Sequence, residues 1–191
     1  MSETADRLAA AALAILVNEG AQAVTMRRVA ADVGLTAMAT YRHFPNREAL
    51  LRAAVDMGVA KATENWASAD ADLGFEDRFA LALTEFLDFA LHQPNLYAFL
   101  VSERWPGARR FPDDFITGGS PAFAPVFAAV QDAMKDGKLR QDDPLEVTLA
   151  LAMPVTGLVQ QYLGGRITLP EPEFRALCTR TVGRVLNGLQ T

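Results

Sequence analysis

Hydroxyl and guanidinium side chains lie close together near the N-terminus, and their types suit the binding of phosphate groups. Thr25 is followed by Arg27 and Arg28. A guanidinium presents a planar fork of donors that matches phosphate oxygens. A hydroxyl at the start of a helix can join the free backbone amides there in holding an anion. This grouping predicts contact with a phosphate backbone.

The charge distribution separates this stretch from the rest of the chain. Residues 22–52 contain five arginines and two acids, a charge of +3, so the net charge of −5 leaves −8 on the other 160 residues. Such asymmetry indicates a short basic footprint on an acidic molecule. A charge of +3 by itself is more typical of a solvated face, so charge permits nucleic-acid binding without establishing it.

Three short helices are predicted to position these side chains. An apolar stripe over residues 8–16 indicates a first helix that ends at Gly20. Thr25 and Thr36 suit the N-caps of a second and a third helix, and Gly34 breaks the chain between them. This spacing is typical of a helix-turn-helix, in which the third helix would enter the major groove of DNA. An ordinary helical corner has the same spacing, so spacing alone leaves both interpretations open.

A longer pattern over residues 25–50 is more specific than the spacing. Its matching features, in chain order and without gaps, are Thr25, Val29, Ala30, Gly34, Thr36, Tyr41, His43, Phe44, Asn46 and Leu50. The pattern resembles the N-terminal domain of the tetracycline-repressor (TetR) family of bacterial transcriptional regulators. The resemblance implies a repressor that leaves its DNA operator when a small effector binds. The alternative is a DNA-binding adaptor or activator whose C-terminal domain is regulated by a protein partner rather than by a small molecule.

The resemblance also assigns roles to individual residues. Four are expected to hold DNA phosphates, namely Thr25, Tyr41, His43 and Arg47. Lysine is commoner than arginine at the last of these positions, and a guanidinium can fork two phosphate oxygens there. Three are expected at base edges, namely Thr36, Ala37 and Met38. The framework residues of the pattern are expected to have no such role.

Two departures from the family pattern affect how bases would be read. Thr40 occupies a position that is normally Leu or Ile, which predicts looser packing of the recognition helix. Ala37 and Met38 offer no hydrogen bonds, so base reading is expected to depend on Thr36, on Arg42 and on apolar contact with thymine methyl groups. DNA shape is expected to contribute as well.

The remainder of the chain has helical periodicity, which predicts an all-α protein of about nine helices. Asn46 suits the N-cap of the fourth helix, and residues 105–121 form the one long irregular segment. We therefore predict a helix-turn-helix DNA-binding domain over residues 1–50. A helical regulatory domain for ligand binding and dimerisation would cover residues 51–191.

Aromatic residues are concentrated in the first half of the predicted regulatory domain. Of the 16 in the chain, 11 lie between Phe75 and Phe127. A family member would use this region to line a cavity for a small apolar or aromatic effector. An ordinary core is the alternative, and Pro154 is expected to kink its helix beside the cavity. The candidate effector residues are Phe86, Phe99, Glu103, Trp105, Phe127, Met153 and Gln160.

The last two predicted helices, residues 144–164 and the helix from residue 171, are both strongly apolar on one or more faces. Apolar stripes pack within one chain more often than between chains, so the pattern alone indicates only burial. The resemblance implies that these helices pair two subunits into a homodimer. Two recognition helices would then lie about 34 Å apart, one turn of DNA.

No recognisable pattern of an enzyme or of a metal site is found in the sequence. His43 and His92 are 49 positions apart and belong to no metal-binding pattern, and no glycine-rich phosphate loop follows a strand. The single cysteine, Cys178, lies on an apolar stripe and rules out an intramolecular disulfide. We expect neither catalysis nor a cofactor. The acidic N-terminus and the lack of a long apolar stretch predict a cytoplasmic protein without a membrane partner.

Overall fold

The computed structural model describes residues 2–64, 73–103, 105, 108, 110–116 and 123–189. The predicted all-α class is confirmed, and the described residues contain ten α-helices. The additional helix is a single turn, α7, inside the segment that was expected to be irregular. In chain order the helices are α1 Glu3–Glu19, α2 Met26–Asp32, α3 Ala37–Tyr41, α4 Arg47–Ala62, α5 Phe75–His92, α6 Pro94–Ser102, α7 Asp113–Ile116, α8 Ala124–Lys135, α9 Pro144–Leu163 and α10 Glu171–Leu189.

The ends of the first helices follow local signals. Gly20 ends α1 with φ +85°, and Gly34 lies between α2 and α3 with φ +73°, a region that side chains other than glycine rarely adopt. Asn46 caps α4 through its Oδ1, which accepts from the amide of Ala49 at 2.8 Å. The turns predicted at the two glycines and the cap predicted at Asn46 are confirmed.

The first of two compact units comprises residues 1–62 and 93–108. Its core is the apolar stripe of α1, in which Leu8 and Leu16 are completely buried. Gly58 allows α4 a close approach, because a Cβ there would lie 2.7 Å from Leu13 Cδ1 and 3.0 Å from Leu96 Cδ2. Asn95 joins α6 to α1 by donating to the carbonyl of Val17 at 2.8 Å. This unit therefore continues beyond residue 50 and includes α4 and α6.

The second unit comprises residues 63–92 and 109–191, with α5, α8, α9 and α10 as its main helices. Arg78 of α5 pairs with Asp132 of α8 at 3.0 Å, and Arg175 of α10 pairs with Asp88 of α5 at 2.8 Å. Tyr162 stacks on Phe174 with ring centroids 4.0 Å apart, which closes one end of the α9–α10 pair. Among the described residues, no helix combines the length and apolar character that crossing a bilayer requires.

Candidate nucleic-acid interface

Thr25 starts α2 as predicted. Its backbone is extended, with φ −129° and ψ 150°, and its Oγ1 accepts a hydrogen bond from the amide of Arg28 at 3.2 Å. The residue is exposed, and so is Arg27 in the first turn of the helix. Because amides in the first turn of a helix have no partners within it, this end of α2 carries a positive potential toward solvent.

The third helix is short and is capped by Thr36, whose Oγ1 accepts from the amide of Ala39 at 3.2 Å. Thr36 thus has a capping role, and its base-edge role stays a prediction. Met38 projects from α3 with 71% of its surface exposed, and Tyr41 follows one turn later at 50%. Ala37 is half-buried. The exposed surface of α3 is therefore dominated by a thioether and a phenol.

Thr40 of α3 stands where the family pattern has Leu or Ile, and its surroundings differ from those of an exposed threonine. Thr40 is completely buried, and its hydroxyl lies 3.5 Å from the carbonyl oxygen of Thr36, at the outer limit of a hydrogen bond. The buried Thr40 hydroxyl therefore has only a weak hydrogen bond in place of the contact with water that it loses on folding. The side chain is fully enclosed, and the looser packing expected at this position stays a prediction.

The cationic side chains near α2 and α3 differ in how they are held. Arg27 and Arg42 are exposed. Arg28 instead forms a two-pronged pair with Glu19, with Nη1 to Oε2 at 2.8 Å and Nη2 to Oε1 at 2.5 Å. The hydrogen bonds from Arg28 lower the pKa of the Glu19 carboxyl, so that the pair stays charged at neutral pH. Arg27 and Arg42 are thus the cations most directly available to a polyanion.

His43 is exposed just beyond α3, and its Nδ1 lies 3.4 Å from Oγ of Ser2. Ser2 is also the N-cap of α1, where its Oγ accepts from the amide of Ala5 at 3.4 Å. Arg7 of α1 donates to the carbonyl of Val33 at 3.1 Å, at the end of α2. The start of α1 is therefore joined to both helices of the predicted helix-turn-helix.

Arg47 has partners that its position in the sequence does not reveal. Its Nε donates to the carbonyl of Val24 at 2.7 Å, and its Nη2 donates to the carbonyl of Ala21 at 2.5 Å. Both partners lie more than 20 residues away in the chain, so no local pattern indicates them. The guanidinium that was expected to hold a phosphate is engaged with the backbone.

Three of the candidate effector residues belong to the first unit. Phe99 is buried, and its ring centroid lies 5.2 Å from that of Trp105. The guanidinium carbon of Arg52 lies 5.9 Å from the Trp105 ring. The indole Nε1 is buried and has no hydrogen-bond partner among the described residues, whereas Glu103 is exposed. Phe99 and Trp105 therefore form a cluster, whereas Glu103 is exposed to solvent.

The other four candidates belong to the second unit. Phe127 is half-buried and stacks on Phe123 at 6.1 Å, and Phe86 is also half-buried. Met153 is 49% exposed and Gln160 is exposed, although the apolar character of α9 had indicated burial on several sides. Three of the seven candidates thus belong to the first unit and four to the second, and Glu103, Met153 and Gln160 are exposed.

Comparison with known proteins identifies the class to which this arrangement belongs. Residues 8–54 match the model described as bacterial regulatory proteins, tetR family, and residues 79–185 match the model described as tetracyclin repressor-like, C-terminal domain. The two matches cover most of the chain, and the chain belongs to the TetR family. The predicted membership is therefore confirmed. Comparison with curated protein sequences gives no significant match.

Solved structures share the fold over their whole length. A Rhodococcus sp. RHA1 protein of unknown function is 23% identical, with a TM-score of 0.80 over 100% of this chain and 97% of its own. The transcriptional regulator FadR from Bacillus subtilis, in complex with stearoyl-CoA, is 12% identical, with a TM-score of 0.73 over 96% and 98%. A tetR-family regulatory protein from Rhodococcus RHA1 is 20% identical, with a TM-score of 0.64 over 100% and 98%. At these identities the likeness concerns the fold.

Proposed function

We propose that this protein is a transcriptional repressor that binds a double-stranded DNA operator as a homodimer and leaves it when a small apolar or aromatic effector binds. The observation that carries the proposal is the exposed surface of α2 and α3, where Met38 and Tyr41 project beside two available arginines. Family membership supports the regulatory role.

Phosphate contacts are proposed for exposed residues around α2 and α3. A hydroxyl, a phenol and an imidazole would donate hydrogen bonds, and arginines would add charge. The proposed residues are Thr25, Arg27, Tyr41, Arg42 and His43. Arg28 is proposed to act at this surface through its positive charge, which the pair with Glu19 partly neutralises.

Base reading is proposed to depend mainly on apolar contact. Met38 is the most exposed large apolar side chain of the helix-turn-helix, and a thioether is well suited to contact the methyl group of thymine. Ala37 would allow close approach of the helix, while the Thr36 hydroxyl would donate to a base edge. We therefore propose an operator in which A·T pairs face α3.

Dimerisation is proposed through α9 and α10. Ala150, Met153 and Gln160 are exposed along α9 at helical spacing, and they include an apolar side chain large enough to favour burial. Met153 and Gln160 are thus better suited to a subunit interface than to an effector cavity. Pairing would present two recognition helices to successive turns of the DNA.

An effector of apolar or aromatic character is supported by aromatic residues that are buried or half-buried, above all Phe99, Trp105 and Phe127. The similar fold of Bacillus subtilis FadR holds stearoyl-CoA, which supports a long apolar ligand as one member of the class. The buried Nε1 of Trp105 would provide a directional contact for a carbonyl or carboxylate of the effector.

The deciding experiment is DNA binding measured against salt. Fluorescence anisotropy with DNA that flanks the protein's own gene is expected to give a Kd on the order of 10 nM, with affinity falling steeply as salt rises. Random DNA of equal length should bind about a thousandfold or more weakly. Equal affinity for both DNAs would contradict a sequence-specific regulator.

Two further measurements test the remaining parts of the proposal. Light scattering at micromolar concentration should give the mass of a dimer, and a Met153→Glu variant should shift it toward a monomer. A thermal-shift screen of fatty acyl and aromatic compounds should include ligands that raise the melting temperature and release DNA. A screen in which no apolar compound does either would favour the adaptor that responds to a protein.

A further inference from the structure

Arg47 is the first residue of α4, and its side chain reaches back to the turn that precedes α2. The guanidinium is half-buried and donates from Nε to Val24 and from Nη2 to Ala21, at 2.7 and 2.5 Å. Hydrogen bonds from a charged donor are about twice as strong as neutral ones. The start of α4 is therefore firmly joined to residues 21–24.

The two carbonyl acceptors belong to a short hydrogen-bonded segment, residues 21–24. Residues 21–23 form a short 3-10 helix, Val24 ends it, and the amide of Val24 also donates to the carbonyl of Ala21 at 3.1 Å. Ala21 and Val24 are both buried. Since Thr25 follows Val24 directly, the geometry of this segment determines where α2 begins and how Thr25 is presented.

The edge of the guanidinium that is used matters for function. Nε and Nη2 donate side by side from one edge of the guanidinium. An arginine that binds a phosphate side-on uses this same edge to donate to two phosphate oxygens. In this protein the pair of acceptors is supplied by the backbone. A phosphate that took the same edge would have to displace two bonds to buried carbonyls.

We infer that Arg47 is a positioning residue for DNA binding: it fixes the turn that presents Thr25 and does not itself hold a phosphate. The inference depends on the proposed function, because it concerns the same DNA interface. It replaces the phosphate contact expected from the family resemblance. The lysine that is commoner at this position lacks the planar fork and has no means of holding both carbonyls in the same way.

A double-mutant cycle between Arg47 and Thr25 tests the inference. Operator binding is measured for the wild-type protein, Arg47→Ala, Thr25→Ala and the double variant, at a temperature where circular dichroism shows all four folded. We expect Arg47→Ala to weaken binding about tenfold in the wild-type background and less than about twofold in the Thr25→Ala background. If the loss of affinity in the double variant equals the product of the losses in the two single variants, the inference is overturned.

The salt dependence gives a second, independent readout. A lost phosphate contact reduces the magnitude of the negative slope of log K against log salt by about 0.9, whereas a lost positioning residue leaves that slope unchanged. Arg27→Ala is the matched control, since its side chain is exposed and proposed to face a phosphate. A slope for Arg47→Ala that falls as far as that of the control would overturn the inference.

Arg47→Lys keeps the charge and remains folded even if Arg47→Ala does not. We expect it to bind the operator as weakly as the alanine variant, because an ammonium can hold a phosphate but lacks the fixed planar pair of donors that spans the two carbonyls. Wild-type affinity in Arg47→Lys would support a phosphate contact and overturn the inference. If the wild-type protein binds no operator, the proposed function fails first, before any variant is compared.

Discussion

Arg28 and Glu19 form a two-pronged ion pair that joins the end of α1 to the first turn of α2, with N–O distances of 2.8 and 2.5 Å. The acid therefore lies beside the surface proposed to contact DNA. A carboxylate in this place would repel phosphates while it holds the arginine, so we expect Glu19 to lower DNA affinity.

Glu19→Gln is expected to increase operator affinity a few-fold at low salt, because it removes a negative charge beside the DNA. The melting temperature should change little, since ion pairs exposed to solvent contribute weakly to stability. Glu173→Gln removes the same charge from the second unit and serves as the control in anisotropy titrations. Equal gains in both variants would show that only net charge matters.

Met38→Ala is expected to leave stability unchanged and to alter base preference, because the side chain is 71% exposed. Replacing thymine by deoxyuridine, one position at a time, removes a single methyl group from the operator. At one position the substitution should weaken the wild-type protein and have little effect on the variant. If wild-type affinity is the same with deoxyuridine at every position, Met38 does not read a thymine methyl.

Thr40→Val and Thr148→Val are expected to change stability in opposite directions. Both residues are completely buried, and both hydroxyls face the carbonyl four residues earlier. The distance is 3.5 Å for Thr40 and 2.6 Å for Thr148. Removing the weakly bonded hydroxyl should stabilise the protein by up to about 1 kcal/mol, and removing the strongly bonded one should destabilise it by about 1 kcal/mol.

Chemical denaturation of the two valine variants measures these changes directly. The matched burial and matched i−4 geometry make each variant the control for the other. If both midpoints move in the same direction, the length of the hydrogen bond is not what distinguishes the two sites.

Cys178 is expected to be inert toward thiol reagents in the folded protein. It is completely buried, and burial raises its pKa to about 11 although Arg175 partly opposes the shift. A pKa this far above the usual value leaves only about one thiolate in a thousand at pH 8. Ellman's reagent should label one thiol in denaturant and almost none without it. Rapid labelling of the folded protein would contradict the burial.

The beginnings of the helices could be predicted from the sequence because capping is local. Thr25, Thr36 and Asn46 each bond an amide three residues ahead, so residue type and spacing suffice to find them. The ends at Gly20 and Gly34 are local for the same reason, since each depends on one residue's freedom to take a positive φ.

The partners of charged residues could not be predicted in this way. Arg47 reaches carbonyls 23 and 26 positions away, and Arg28 reaches Glu19 across the turn between two helices. Such contacts depend on how helices pack, which periodicity does not specify. Periodicity likewise gave no means of knowing that Met153 would be half-exposed on a helix that is apolar nearly all round.

The solitary buried thiol has a practical consequence for spectroscopy. Cys178 is the only cysteine in the chain, so an introduced cysteine would be the sole accessible handle for a dye or spin label. In the proposed homodimer, Ala10→Cys on the exposed side of α1 would place one probe on each subunit without removal of a native residue from the core. Electron-electron distance measurements between the two probes would then show whether the distance between the two α1 helices changes when a compound that raises the melting temperature is added.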